Sequence, residues 1–137
     1  EAGTQNFASA ATLKPAIELL NILNDNNLEE YNNSIKDYLL NILINDERIR
    51  LYGVPRGTSE EKIPLFSFTV KGIHHEDLAL ILDKMGIAVR SGQMCAEPLM
   101  DRFGVTGMLR ISLAPYNTMQ EAEYFVKCLN KAIDMLI

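Results

Sequence analysis

The chain has 137 residues, of which 47 % are apolar and 23 % charged, the composition of one ordinary globular domain with enough length to bury a core. Its net charge of −5, with no clustered Lys and Arg, excludes a binder that works by neutralising nucleic-acid phosphates. No apolar run approaches the roughly 18 residues of a bilayer span, and two cysteines far apart without CxxC spacing, Cys95 and Cys128, predict neither a disulfide framework nor a zinc site, so a reducing, cytoplasmic location is expected.

The opening Glu1-Ala2-Gly3-Thr4 has no initiator Met and reads as the interior of a longer polypeptide, so a fragment is expected. Ala10, Leu13, Ile17 and Leu20 recur at helical spacing, with Pro15 marking either a kink or the true start. Asn24-Asp25-Asn26-Asn27 is turn chemistry. A second helix follows on the stripe Leu28, Tyr31, Ile35, Tyr38 and Ile42. Ile49–Tyr52 predicts a short strand closed by Gly53, and Val54–Lys62 a solvated loop. Phe66, Phe68 and Val70 alternate with Ser67 and Thr69, the period of a half-buried strand.

His75-Glu76-Asp77 opens a helix with acidic residues at its positive end; Leu78, Ile81, Leu82 and Met85 form its core stripe and Gly86 its stop. Ile87–Arg90 predicts another strand, then the loop Ser91–Cys95 and a brief helix over Pro98–Phe103, with Gly104 past its end. Leu109, Ile111 and Leu113 alternate with Arg110, Ser112 and Ala114 as a further strand. Thr118-Met119-Gln120-Glu121 has capping-box form and starts a last helix through Phe125, Leu129 and Ile133. The expected fold is α+β: a small, mostly antiparallel sheet with helices packed on one face.

Cys95 sits after a glycine-containing loop and before a helix start, where backbone N–H groups favour an anion. Position alone leaves open a reactive thiol and a buried structural cysteine. Arg90, five residues earlier, adds positive charge if the loop folds back. Arg110 lies on the polar side of its strand; its planar fork suits a carboxylate, and a solvated arginine is the plainer alternative. Cys128, beside Phe125 and Leu129, reads as a small apolar filler. His74 and His75 have no ligand at metal spacing, so no metal site is expected.

Several stretches together resemble one family. They are Glu1-Ala2-Gly3-Thr4-Gln5-Asn6, Gly86-Ile87-Ala88-Val89-Arg90-Ser91-Gly92, Cys95-Ala96-Glu97-Pro98-Leu99-Met100, Arg102-Phe103-Gly104-Val105, and Arg110-Ile111-Ser112-Leu113-Ala114-Pro115-Tyr116-Asn117-Thr118. In order and spacing the chain resembles the SUF-type cysteine desulfurases and related selenocysteine lyases. These are pyridoxal-phosphate enzymes of fold type I in the class V aminotransferase group.

The resemblance implies that residues 24–137 are the small C-terminal domain, and residues 1–23 the end of the large cofactor-binding domain and a bridging helix. It implies a full-length transferase that converts L-cysteine to L-alanine and passes sulfur, as a persulfide on Cys95, to an acceptor protein of the SUF system for iron–sulfur cluster assembly. Cys95 matches the nucleophile, Arg110 the carboxylate-binding arginine, and Arg90 the arginine that helps position substrate or thiol. Gly3 and Thr4 match a segment that reaches the cofactor phosphate of the neighbouring subunit in a homodimer.

Two departures stand out. Gln93 and Met94 occupy places where the family often has histidine, and Pro115 replaces a bulkier residue. None of the seven lysines lies in a Ser-x-His-Lys-like context, so this chain alone is expected to hold no cofactor and to be inactive. The alternatives are a selenocysteine lyase or another class V member, and a non-catalytic docking module for a sulfur acceptor.

Overall fold

Apolar alternation decides the sheet. Leu65–Val70 (β2) turns Phe66, Phe68 and Val70 inward, and Met108–Ser112 (β4) contributes Leu109 and Ile111 to the same core. The computed structural model describes residues 3–25, 27–53 and 62–137; the expected loop over Val54–Lys62 therefore falls, Lys62 aside, outside the described residues.

Four strands, Ile49–Tyr52 (β1), β2, Arg90–Gly92 (β3) and β4, form one antiparallel sheet in the order β1-β2-β4-β3. Three helices cover its core face: Leu28–Asn45 (α3), His75–Lys84 (α4) and Met119–Leu136 (α6). Ile35, Leu39 and Leu43 of α3, Leu78 and Leu82 of α4, and Leu129, Ala132 and Ile133 of α6 are almost wholly buried there. Each recurs at three- or four-residue spacing, which places the set on one stripe of its helix.

The caps follow the sequence. Thr118 accepts from the Glu121 N–H while the Glu121 carboxylate accepts from the Thr118 N–H, a complete capping box. At the end of α4, Gly86 takes φ +78°; its N–H donates to the Asp83 carbonyl and the Ile87 N–H to the Leu82 carbonyl, the paired bonds of a Schellman stop. That stop moves the strand expected over Ile87–Arg90. Ile87 is tied back to the helix, and ladder pairing begins only at Arg90, giving β3 over Arg90–Gly92.

The opposite face of the sheet carries a smaller cluster. The short helix Glu97–Phe103 (α5) lays Met100 and Phe103 against Tyr52 and Met108, and the Tyr52 and Phe103 rings sit 5.0 Å apart. At the N-terminus, Phe7–Ala11 (α1) and Leu13–Asp25 (α2) break at Thr12, so Pro15 stands in the first turn of α2, where its missing N–H costs nothing. Neither helix joins the core. Phe7, Leu13, Ile17 and Leu20 are each more than half exposed. Among the described residues no helix is long and apolar enough to cross a membrane.

Candidate active site

Strand register builds the site. Tyr52 pairs with Ser67, Ser67 with Arg110, and Arg110 with Arg90. Paired residues of adjacent strands point to one face, so these four side chains form a single row across the sheet, on the side away from the three long helices. Arg50, two residues before Tyr52, lies on the same face with its guanidinium 5.0 Å from the Tyr52 ring centre.

Arg110 is half-buried, and its Nε–H is shut off from solvent with no acceptor. A buried donor left unpaired costs about 1–3 kcal/mol, more for a charged group. Directly opposite stands a second cation, Arg90, and like charges facing across strands are unfavourable as well. Among the described residues neither arginine has an ion-pair partner. Two forks without carboxylates on one patch are what a site for a small anion looks like before the anion arrives.

Cys95 is exposed. It follows Gly92 at φ +104°, and both Met94 and Cys95 adopt left-handed backbone at φ +57° and +61°. The chain leaves β3 for α5 through these two residues in succession, although each costs roughly 1–2 kcal/mol for a side chain with a Cβ. The turn is held by the Ala96 N–H, which donates to the Gln93 carbonyl. It folds the segment back so that Sγ of Cys95 lies 4.0 Å from Nη2 of Arg90. The approach anticipated between Arg90 and the thiol is therefore present.

A cavity of about 470 Å³ adjoins this row. Arg110 and Ser67 give it a polar end, and Tyr52, Met94, Ala96, Leu99, Met100, Phe103 and Met108 give it apolar walls. Cys95 is not in the lining, but both its neighbours are. Reading the sequence alone misses Tyr52, Ser67 and Met94 as parts of this site. The alternation of Ser67 with Phe66 and Phe68 puts Ser67 on the right face, yet only the register shows that it meets Arg110.

Gly3 and Thr4 lie at the other end of the chain, exposed, with Gly3 at φ +106°; the structure does not bring them to Cys95. Cys128 is buried in the core as expected. His74 caps α4 with its Nδ1, which accepts from the Glu76 N–H, and no metal-holding cluster occurs among the described residues.

The chemistry of the donor set does not make a complete pyridoxal-phosphate site. Lys62 borders the cavity, but its ammonium lies 5.1 Å from the centre of the Phe66 ring, a core-face residue, and burial lowers its pKa. Among the described residues no other lysine lines the cavity. The row can grip an anion and present a thiol, and the amine at the cavity's edge among the described residues, that of Lys62, lies over the Phe66 ring.

The chain is 38 % identical over 136 residues to a probable cysteine desulfurase of Vibrio cholerae, covering 99 % of this chain and 32 % of that protein. It is 34 % identical over 137 residues to the cysteine desulfurase CsdA of Escherichia coli, covering 100 % and 33 %. The crystal structure of E. coli CsdA in an S-sulfonic acid form superposes with a TM-score of 0.81 at 34 % identity, over 100 % of this chain and 33 % of that one. The apo structure of a cysteine desulfurase from Thermococcus onnurineus gives 0.81 at 32 % identity, over 99 % and 33 %. The chain thus spans about a third of the length of the relatives it matches. Residues 1–125, most of the chain, match the family described as aminotransferase class-V, and the chain belongs to that family.

Proposed function

We propose that this chain is the sulfur-accepting, substrate-orienting part of a cytoplasmic cysteine desulfurase that uses pyridoxal 5'-phosphate. The observation that carries the reading is the arginine row: Arg110 with its buried, unpaired Nε–H, Arg90 opposite it, and the Cys95 thiol 4.0 Å from Arg90. Residues 24–137 act as the small domain, and residues 1–23 as the end of the large domain with its bridging helix. The exposed apolar side chains of α1 and α2 support that division.

In this reading Arg110 grips the carboxylate of L-cysteine in a bidentate pair through the two terminal nitrogens of its guanidinium. The apolar walls exclude water around the reacting carbon. Sγ of Cys95 attacks the substrate sulfur: an S–S bond forms, the substrate C–S bond breaks, and its electron pair stays with carbon, which takes up a proton to give L-alanine. Arg90 neutralises charge on the sulfur during the exchange. The cofactor would stabilise the electron pair left on carbon, and its lysine and phosphate contacts belong to parts of the enzyme outside this chain, with Gly3 and Thr4 meeting the neighbouring subunit's phosphate in a homodimer. The chain alone is then inactive and binds no cofactor. The persulfide on Cys95 passes to an acceptor protein of the SUF system.

The test is turnover of L-cysteine by the full-length enzyme, scored for both alanine and protein-bound persulfide. Cys95→Ser should abolish both. Alanine formation at an undiminished rate in that variant would instead assign the chain to docking of the acceptor. Relative turnover of selenocysteine and cysteine distinguishes a lyase for the selenium substrate.

A further inference from the structure

Residues 104–107 join α5, which begins two residues beyond Cys95, to β4, which carries Arg110. The helix that follows the thiol and the arginine strand are thus tied together by four residues. These border a cleft of about 320 Å³ shared with Thr69, Val70, His74 and His75. His75 opens α4 and is 8 % exposed. Its Nδ1 is buried without a partner. Its ring takes the room that a side chain at residue 107 would need: a Cβ on Gly107 would stand 2.4 Å from Nε2 and 2.8 Å from both Cδ2 and Cε1.

We infer that His75 is a positioning residue for the Cys95–Arg110 site, whose neutral ring, seated on Gly107, fixes the 104–107 segment, and that protonation of the ring releases this seat. The inference rests on the proposed roles of Cys95 and Arg110, but its test does not. A neutral imidazole needs one donor and one acceptor position, and Nε2 can carry the hydrogen while buried Nδ1 keeps a lone pair. A second proton would place an N–H at buried Nδ1 with no acceptor and a charge on a largely buried ring.

The groups facing the ring favour neutrality. The His74 ring centre lies 4.3 Å away, and burial first and His74 second push the His75 pKa below its ordinary 6.5, against the opposing pull of Glu76 and Asp77. From β2 and from residues 104–107, the cleft receives Thr69, Val70, Val105 and Thr106, with no charged group among the described residues. The sign follows. Above pH 6.5 both folded and unfolded states are neutral at this position. As the pH falls below that value the unfolded chain binds the proton first, so stability is lost until the folded ring also titrates.

The experiment is a pH titration of the full chain by NMR, following the His75 ring and the amides of Gly107 and Arg110. The ring should titrate below 6.5, with both amides shifting at the same midpoint. His75→Phe should flatten the amide response while His74→Phe leaves it in place. Gly107→Ala should unseat the ring and move its midpoint back toward the ordinary value, which keeps the idea testable if His75→Phe does not fold. Below pH 6.5 the unfolding equilibrium constant of the wild type should rise by up to about tenfold per pH unit relative to His75→Phe. A ring that titrates at its ordinary midpoint, or amides that stay silent while it titrates, overturns the inference; turnover of the Cys95→Ser enzyme bears only on the proposed reaction.

Discussion

Arg90 and Arg110 face each other across neighbouring antiparallel strands, and neither is paired with a carboxylate among the described residues. The fold accepts that repulsion, and in the proposed reading a substrate anion would relieve it.

Replacing Arg110 should therefore separate stability from function. Arg110→Met keeps the stem and removes both the opposed charge and the orphaned Nε–H. Its urea midpoint should equal or exceed that of the wild type. In the full-length enzyme the same change should raise KM for L-cysteine about 10- to 100-fold, the equivalent of a charged hydrogen-bonded pair worth about 1.5–3 kcal/mol. A loss of both stability and affinity would show that Arg110 is chiefly structural.

The left-handed pair Met94 and Cys95 gives a second expectation. Met94→Gly removes a Cβ from backbone at φ +57° and should stabilise the chain by about 0.5–1 kcal/mol in urea denaturation. The same change strips one wall from the Arg110 cavity, so a stabler protein with weaker substrate binding is the expected outcome.

Asp46 and Arg48 predict acid behaviour. Arg48 Nη2 lies 2.7 Å from Oδ2 of Asp46 and also reaches Asn130, while its Nη1 meets Asp134 at 3.2 Å, stapling the α3–β1 turn to α6. The side-chain bond to Arg48 holds the Asp46 carboxyl below its ordinary 3.8, against desolvation, and Asp46 raises Arg48 in return. A depressed carboxyl contributes its stability above the unfolded value and loses it as pH falls through the folded one. Asp46→Asn should cost about 1 kcal/mol at pH 7, because Arg48 is partly solvated. In melts at falling pH the difference should shrink below 3.8 and vanish once the folded carboxyl is itself protonated.

Phe68 is wholly buried between the sheet and the helices. Phe68→Ala should cost about 3–5 kcal/mol, a large part of a single domain's stability. Differential scanning calorimetry checks it; a cost under 1 kcal/mol would mean that the helices close over the gap.

Much of this was legible along the chain. The alternation in β2 and β4, the stripe of α4 with its glycine stop and the capping box of α6 are all local patterns, and the structure has each of them. Position made Cys95 and Arg110 candidates only, with a structural cysteine and a solvated arginine left open, and their roles came from the family resemblance. Beyond reach were relations between strands: the row Tyr52, Ser67, Arg110, Arg90 depends on register, which no single strand encodes. The displacement of β3 to Arg90–Gly92 came from the helix stop before it, where Ile87 is claimed by Leu82. His75 looked like a flank of a helix start, because nothing near it in sequence reveals that Gly107 leaves it a seat.

The outward oily stripe of α2, with Leu13, Ile17 and Leu20 each more than half exposed, bears on how the molecule is handled. A helix with no tertiary cover keeps little beyond its own propensity, so it opens at almost no free-energy cost. A protease should trim the chain from that end before it cuts within α3, α4 or α6, and any surface that shields the stripe should slow the digestion.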